Sequence, residues 1–168
     1  MAYKELRPLL PTALFPEPYA TPDNVAKEIL YINHPPQLQE AAAIHLKKAN
    51  MIFNSKSLLL VVLDGLRTEE AHAKLLAVNS NPMYVNPKSG HLEGWSVDAT
   101  LANLDGEHLD MGTQFDEFVK KSHVGAKRLK AFQEMNRALL SGVMASCGFR
   151  QLPSEWWHFD LIEELRTS

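Results

Sequence analysis

The stretch Ser57-Leu-Leu-Leu-Val-Val-Leu-Asp64 constrains this chain more than any other. Leu58 to Leu63 is its longest purely apolar run, partly β-branched and bounded by polar residues. A run this short fits a strand buried on both faces. It falls far short of the roughly 20 residues that cross a bilayer as a helix. The rest of the chain must therefore cover a buried strand on two sides.

The length permits this. At 168 residues and 18.9 kDa the chain is the size of one domain and can bury a core without disulfide or metal staples. Apolar residues make up 45% and charged residues 22%, which excludes disordered, collagenous and fibrous classes. A net charge of -3 and a pI near 6.2 give no footing for nucleic acid or an anionic membrane. The lone Cys147 excludes an internal disulfide framework and a Cys-rich zinc finger. Lys4, Glu5 and Arg7 come early, and Pro8, Pro11, Pro16 and Pro18 follow. That is not the pattern of a secretory signal, and the expectation is a cytoplasmic protein.

Residues 1–24 hold five prolines and read as an extended arm, ending in the turn-rich Tyr19-Ala-Thr-Pro-Asp-Asn24. From Gln37 to about Ile52, Leu38, Ala41, Ala42, His45, Leu46 and Ala49 recur at helical spacing, with Asn54 and Ser55 closing the helix. Thr68 to Leu76 reads as a short helix with Thr68 at its N-cap and two acids in its first turn. Residues 78–90 read as a loop, and Trp95 to Leu101 as a strand. Ala126 to Ser146 carries the clearest helical pattern, with Leu129, Phe132, Asn136, Leu139 and Val143 as its stripe. Trp156 to Ile162 reads as a final strand. Helices and strands mix without βαβ alternation, which predicts an α+β fold. The expected architecture is one compact domain over residues 1–168, with a small central antiparallel or mixed sheet flanked by helices.

Two segments concentrate polar residues suited to chemistry: Ser89-Gly-His91-Leu-Glu-Gly94-Trp-Ser-Val-Asp98 and Glu155-Trp-Trp-His158. They offer two imidazoles and several carboxylates, the ligand types of zinc. His91 and Asp98 would face opposite sides of a single ideal strand. They converge only if the backbone turns between them, and Gly94 supplies that turn. Glu155 and His158 likewise need a bend, with Glu155 in it and His158 on the strand. Neither segment is the helical H-E-x-x-H arrangement. His34, His45, His72 and His108 read as structural or surface histidines. The Trp156-Trp157 pair reads as core packing, and Asp105-Gly106 as a turn.

Together these segments resemble the zinc-dependent D-alanyl-D-alanine dipeptidases. The shared S-x-H-x-x-G-x-x-x-D is Ser89, His91, Gly94 and Asp98, and the shared E-W-W-H is Glu155 to His158. Asp64-Gly65-Leu66-Arg67 matches D-G-x-R after a buried strand. Met111-Gly112-Thr113-Gln114-Phe115-Asp116 matches M-G-x-x-F-D, followed by Ser122-His123, and Tyr19-Ala-Thr-x-x-Asn24 matches in the arm. The motifs run in family order from residue 19 to 158.

The resemblance implies a zinc ion at the sheet, one per chain, held by His91, Asp98 and His158. It implies Glu155 as general base and Arg67 as the charge that stabilises the oxyanion. It implies a small dipeptide as substrate, with Asp116, Ser89 and Tyr19 taking its ammonium group. Thr68 stands where the family has Pro, Glu93 where a basic residue is common, and Trp95 where a small residue is expected. Glu93 and Trp95 lie close in sequence to the metal segment, and the expectation is that they shape the pocket. Two alternatives stay open: a D,D- or L,D-carboxypeptidase or endopeptidase acting on peptidoglycan stems, and a non-catalytic zinc-binding module on the same scaffold.

Overall fold

The computed structural model describes residues 2–166. It is an α+β structure with two antiparallel sheets. β1 (Tyr3–Glu5) pairs with β2 (Gln37–Gln39), and a four-stranded sheet runs in the order β3 (Leu59–Asp64), β4 (Ser96–Ala102), β6 (His158–Leu161), β5 (Phe149–Gln151). Three helices, α1 (Glu40–Ser55), α2 (Glu69–Val78) and α3 (Ala131–Ser146), lie between the strands in sequence. No helix among the described residues is long and apolar enough to cross a membrane.

The apolar run becomes β3, and both of its faces are covered as expected. Leu60 and Val62 join Val97, Ala99 and Leu101 of β4 and Phe159 and Leu161 of β6 in the main core, under α1 and α3. Val61 and Leu63 join Ala102 in a smaller cluster with Leu14 and Phe115 on the opposite face. The arm also contributes to the main core, where Leu6 and Leu10 are fully buried.

Helix α1 begins three residues later than its apolar spacing suggests, because Gln37–Gln39 pairs with β1 instead. Its Ala42, Leu46, Ala49 and Phe53 form the buried stripe, and the small alanines let the helix approach the sheet closely. Thr68 caps α2, its hydroxyl accepting from the Ala71 N–H.

Helix α3 differs from its sequence pattern in two ways. It starts at Ala131, because Gly125 and Arg128 take left-handed backbone conformations that break any earlier helix. Its buried face also only partly follows the apolar stripe: Val143 is buried, but Phe132 is exposed, and Gln133, Arg137, Leu140 and Met144 complete the buried side. Arg137 can be buried because its guanidinium donates to the carbonyls of Met111, His123 and Lys121. Hydrophobic spacing cannot register a face held by such contacts.

Phe53 fills the centre of the main core, with no exposed surface. Phe53→Ala is expected to cost about 3–5 kcal/mol, read from denaturant midpoints of the two chains.

Candidate active site

The site grows from the pairing of three strands. Asp98 on β4 stands directly opposite His158 on β6 and opposite Asp64 on β3. Residues directly opposed across an antiparallel pair point to the same face. An irregularity in β3 between Val62 and Asp64 inserts one extra residue. That turns Asp64 out of the core alternation of Leu60 and Val62 and onto the Asp98 face. His91 arrives from the single turn Gly90–Glu93 before β4. Gly94 closes that turn at φ 75°, a conformation few other residues adopt without strain. The turn therefore folds His91 back over Asp98, as their separation in sequence requires. Glu155 sits in the bend before β6, its N–H bonded to the Leu152 carbonyl.

Three side-chain atoms converge. His91 Nε2 lies 3.1 Å from His158 Nδ1 and 3.3 Å from Asp98 Oδ1, and His158 Nδ1 lies 3.0 Å from the same oxygen. All three residues are buried. The other nitrogen of each ring is already committed. His91 Nδ1 is 2.7 Å from the Gly65 carbonyl, and His158 Nε2 is 3.1 Å from Asp160 Oδ1. Those oxygens accept only, so the committed nitrogens carry hydrogens, and each ring in its neutral form turns a lone pair inward.

Two lone pairs and a carboxylate oxygen facing one another in a dry pocket need a positive charge between them. A tetrahedron with metal–nitrogen bonds of roughly 2.0–2.1 Å has edges of roughly 3.3 Å, and the three distances lie at or just inside that value. The residues fit a zinc-sized cation. Their ionisation says the same. Burial works against a charged His158, but Asp160 and Asp98 overcome it and raise the ring's pKa to about 10. Burial also raises Asp98, yet His91 and His158 pull it well below the usual carboxylate range.

Around this triad stand the other expected residues. Arg67 donates from Nε and Nη2 to Asp64 Oδ2 at 2.9 and 2.6 Å, and Nη2 lies 3.7 Å from Asp98 Oδ2. It thereby separates two carboxylates that the sheet sets directly opposite. Burial alone would lower its pKa, but Asp64 and its neighbours more than compensate and it stays charged. Glu155 is buried, its Oε2 lies 3.9 Å from His158 Nδ1, and its Oε1 has no protein partner. Burial pushes its carboxyl up to about 8. Asp116 accepts a 2.6 Å bond from the Tyr19 hydroxyl, and burial pushes it up to about 7. Ser89 borders the same space, though its hydroxyl accepts from the His91 N–H as the cap of the turn.

All eight expected residues line one cavity of about 130 Å³. Pro82 to Asn86 of the long loop form its roof. That loop is tied down where Ser154 Oγ donates to the Met83 carbonyl and where His72 Nε2 meets the Asn86 carbonyl at 3.0 Å. Drug-sized pockets hold roughly 300–1,000 Å³, so this one suits a small ligand.

Glu93 and Trp95 are not part of the lining. Glu93 is exposed, and Trp95 packs in the main core with Arg166 over its ring. Pro82 to Asn86 shape the pocket in their place. His72 is a structural histidine, as expected, but its Nδ1 lies 3.5 Å from Arg67 Nη1. His34 and His45 bond main-chain carbonyls away from the site. The sequence reading missed Asp160 and Ser96. Asp160 sits two residues beyond His158 on a strand and so shares its face, a signal that was available.

An antiparallel sheet carrying a buried His-Asp-His triad, beside a buried acid and a guanidinium, defines a metallohydrolase type of site. A family model described as D-ala-D-ala dipeptidase, in peptidase family M15, matches residues 2–167, and the chain belongs to that family. It is 35% identical over 146 residues to the D-alanyl-D-alanine dipeptidase of Escherichia coli K12, covering 85% of this chain and 76% of that one. It is 42% identical over 82 residues to the D-alanyl-D-alanine dipeptidase of Enterococcus faecalis V583, covering 48% of this chain and 41% of that one. Among solved structures it is similar in fold to a vancomycin resistance D,D-pentapeptidase, VanY E175A, in complex with Zn(II). That likeness has a TM-score of 0.50 at 13% identity and covers 81% of this chain and 79% of the other.

His158 keeps a proton at neutral pH in the metal-free chain, and a cation must displace it. Zinc addition at pH 7 to 8 is therefore expected to release protons, and affinity should fall as pH falls. Titration in weak buffer with a pH indicator, repeated at several pH values, measures both.

Proposed function

We propose that this chain is a zinc metallopeptidase that hydrolyses D-alanyl-D-alanine or a closely related D,D-dipeptide. The observation that carries the reading is the unpartnered Glu155 Oε1 in the same small cavity as three convergent ligand atoms. A structural metal needs no buried base beside it. Family membership supports the choice of substrate.

His91, Asp98 and His158 would hold the metal, a three-residue ligand set of the kind catalytic rather than structural zinc sites use. Bound zinc would supply Lewis-acid chemistry, polarising a carbonyl and acidifying a water. Glu155 accepts the proton of the attacking water and returns it to the departing amine. The ionised form of Glu155, which is the form that accepts the proton, would be favoured by a cation held by the triad. Arg67, fixed by Asp64, presents a permanent charge to the carbonyl oxygen as negative charge develops there.

Asp116 and Tyr19 select the amino end. The carboxyl is costly to ionise in its buried position, and a substrate ammonium would repay that cost. An acylated amine leaves the carboxylate without a partner. The small cavity favours a free dipeptide over a long peptide for the same end of the substrate.

Glu155→Gln is expected to lower kcat about 10²- to 10⁴-fold with zinc content unchanged, read by dipeptide hydrolysis and metal analysis. Turnover at the wild-type rate would remove Glu155 as the base. N-acetyl-D-alanyl-D-alanine should be cleaved at least about a hundredfold less efficiently than the free dipeptide, given about 3–5 kcal/mol for a buried charge left unpaired. Equal kcat/KM for the two would point instead to an enzyme of longer peptidoglycan stems.

A further inference from the structure

The same ladder that builds the triad builds a second pair beneath it. Ser96 stands directly opposite Asp160, just as Asp98 stands opposite His158. Each strand has period two, so all four side chains share one face. The Ser96 hydroxyl donates to Asp160 Oδ1, and the same oxygen accepts from His158 Nε2 at 3.1 Å. A methyl group at Gly90 would collide with Ser96 Oγ and press on Asp160 Oδ1. The bare Gly90 backbone therefore leaves room for this pair.

The two histidines are anchored differently. His91 Nδ1 is held by the main-chain carbonyl of Gly65, which no side-chain change removes. His158 depends on the side chain of Asp160.

We propose that Asp160, itself held by Ser96, is the positioning residue for His158. Its carboxylate engages the Nε2–H, fixes the ring plane and tautomer, and leaves Nδ1 as the metal-binding atom. The carboxylate also makes the imidazole a stronger donor to a cation. Asp160 acts through His158. This inference rests on the zinc reading of the triad and extends it by one layer.

The test uses the full chain, stripped of metal and titrated with zinc against a chromophoric chelator at fixed pH. Asp160→Ala should weaken zinc binding about 10- to 100-fold, while the metal-free chain stays folded. Asp160→Asn should recover part of that loss, because its Oδ1 still accepts from both Ser96 and His158 while the charge is gone. Ser96→Ala should fall between wild type and Asp160→Ala. A folded Asp160→Ala chain with wild-type zinc affinity overturns the proposal, as do equal losses in the Ala and Asn variants. Where Asp160→Ala does not fold, Asp160→Asn and Ser96→Ala carry the test, and wild-type affinity in both overturns it. A wild-type chain that takes up no zinc overturns the zinc reading itself and this inference with it. Tight wild-type binding with an unaffected Asp160→Ala removes this inference alone.

Discussion

Asp64, Asp98 and His158 stand in one transverse row across β3, β4 and β6. The rest of the structure depends on that register. A slip of one residue between β4 and β6 would send His158 or Asp98 into the apolar face and Phe159 or Val97 into the site. The main core prevents such a slip. Val97, Ala99, Leu101, Phe159 and Leu161 alternate with the site residues and are buried against the helices. The packing energy of one face thus enforces the alignment of the polar atoms on the other. The chemistry needs no separate scaffold.

The charge arrangement follows from that alignment. The row sets two carboxylates, Asp64 and Asp98, directly opposite one another in a buried place, which is unfavourable alone. Arg67 relieves the repulsion by binding Asp64 and lying near Asp98. The guanidinium is consequently held firmly beside both carboxylates. The same burial that makes these charges costly raises the carboxyls of Glu155 and Asp116. Acidic groups that ionise reluctantly are the ones with most to gain from a proton or an ammonium ion.

Much of this could be read before any coordinates. The apolar run read as a strand with two covered faces because it is short for a buried helix, partly β-branched and bounded by polar residues. The family resemblance implied that His91 and Asp98 converge, and their separation showed that this needs a turn, for which Gly94 offered a place; Thr68 marked the start of α2 by its capping chemistry. Other features were hidden for physical reasons. The face of α3 was misread because Gln133 is buried against the Asp110 carboxylate and Arg137 against main-chain carbonyls, partners that only the tertiary fold supplies. β5 is three residues long, and β1 and β2 are equally short, so none shows a resolvable period. Glu93 and Trp95 are near the triad in sequence, but Glu93 faces solvent and Trp95 packs into the main core. Asp160 escaped notice because it touches His158 on the ring edge turned away from the triad.

The roof of the cavity comes from a different kind of segment. Pro82 to Asn86 belong to a long irregular loop attached to the body by polar contacts, among them Ser154 to Met83 and His72 to Asn86, and by the buried Val85 and the Tyr84 ring. None of the triad, the base or the guanidinium comes from that loop. Drift in its length or composition can therefore retune which side chains enter while the hydrolytic apparatus stays as it is. Within this architecture, selectivity and reactivity are separately heritable.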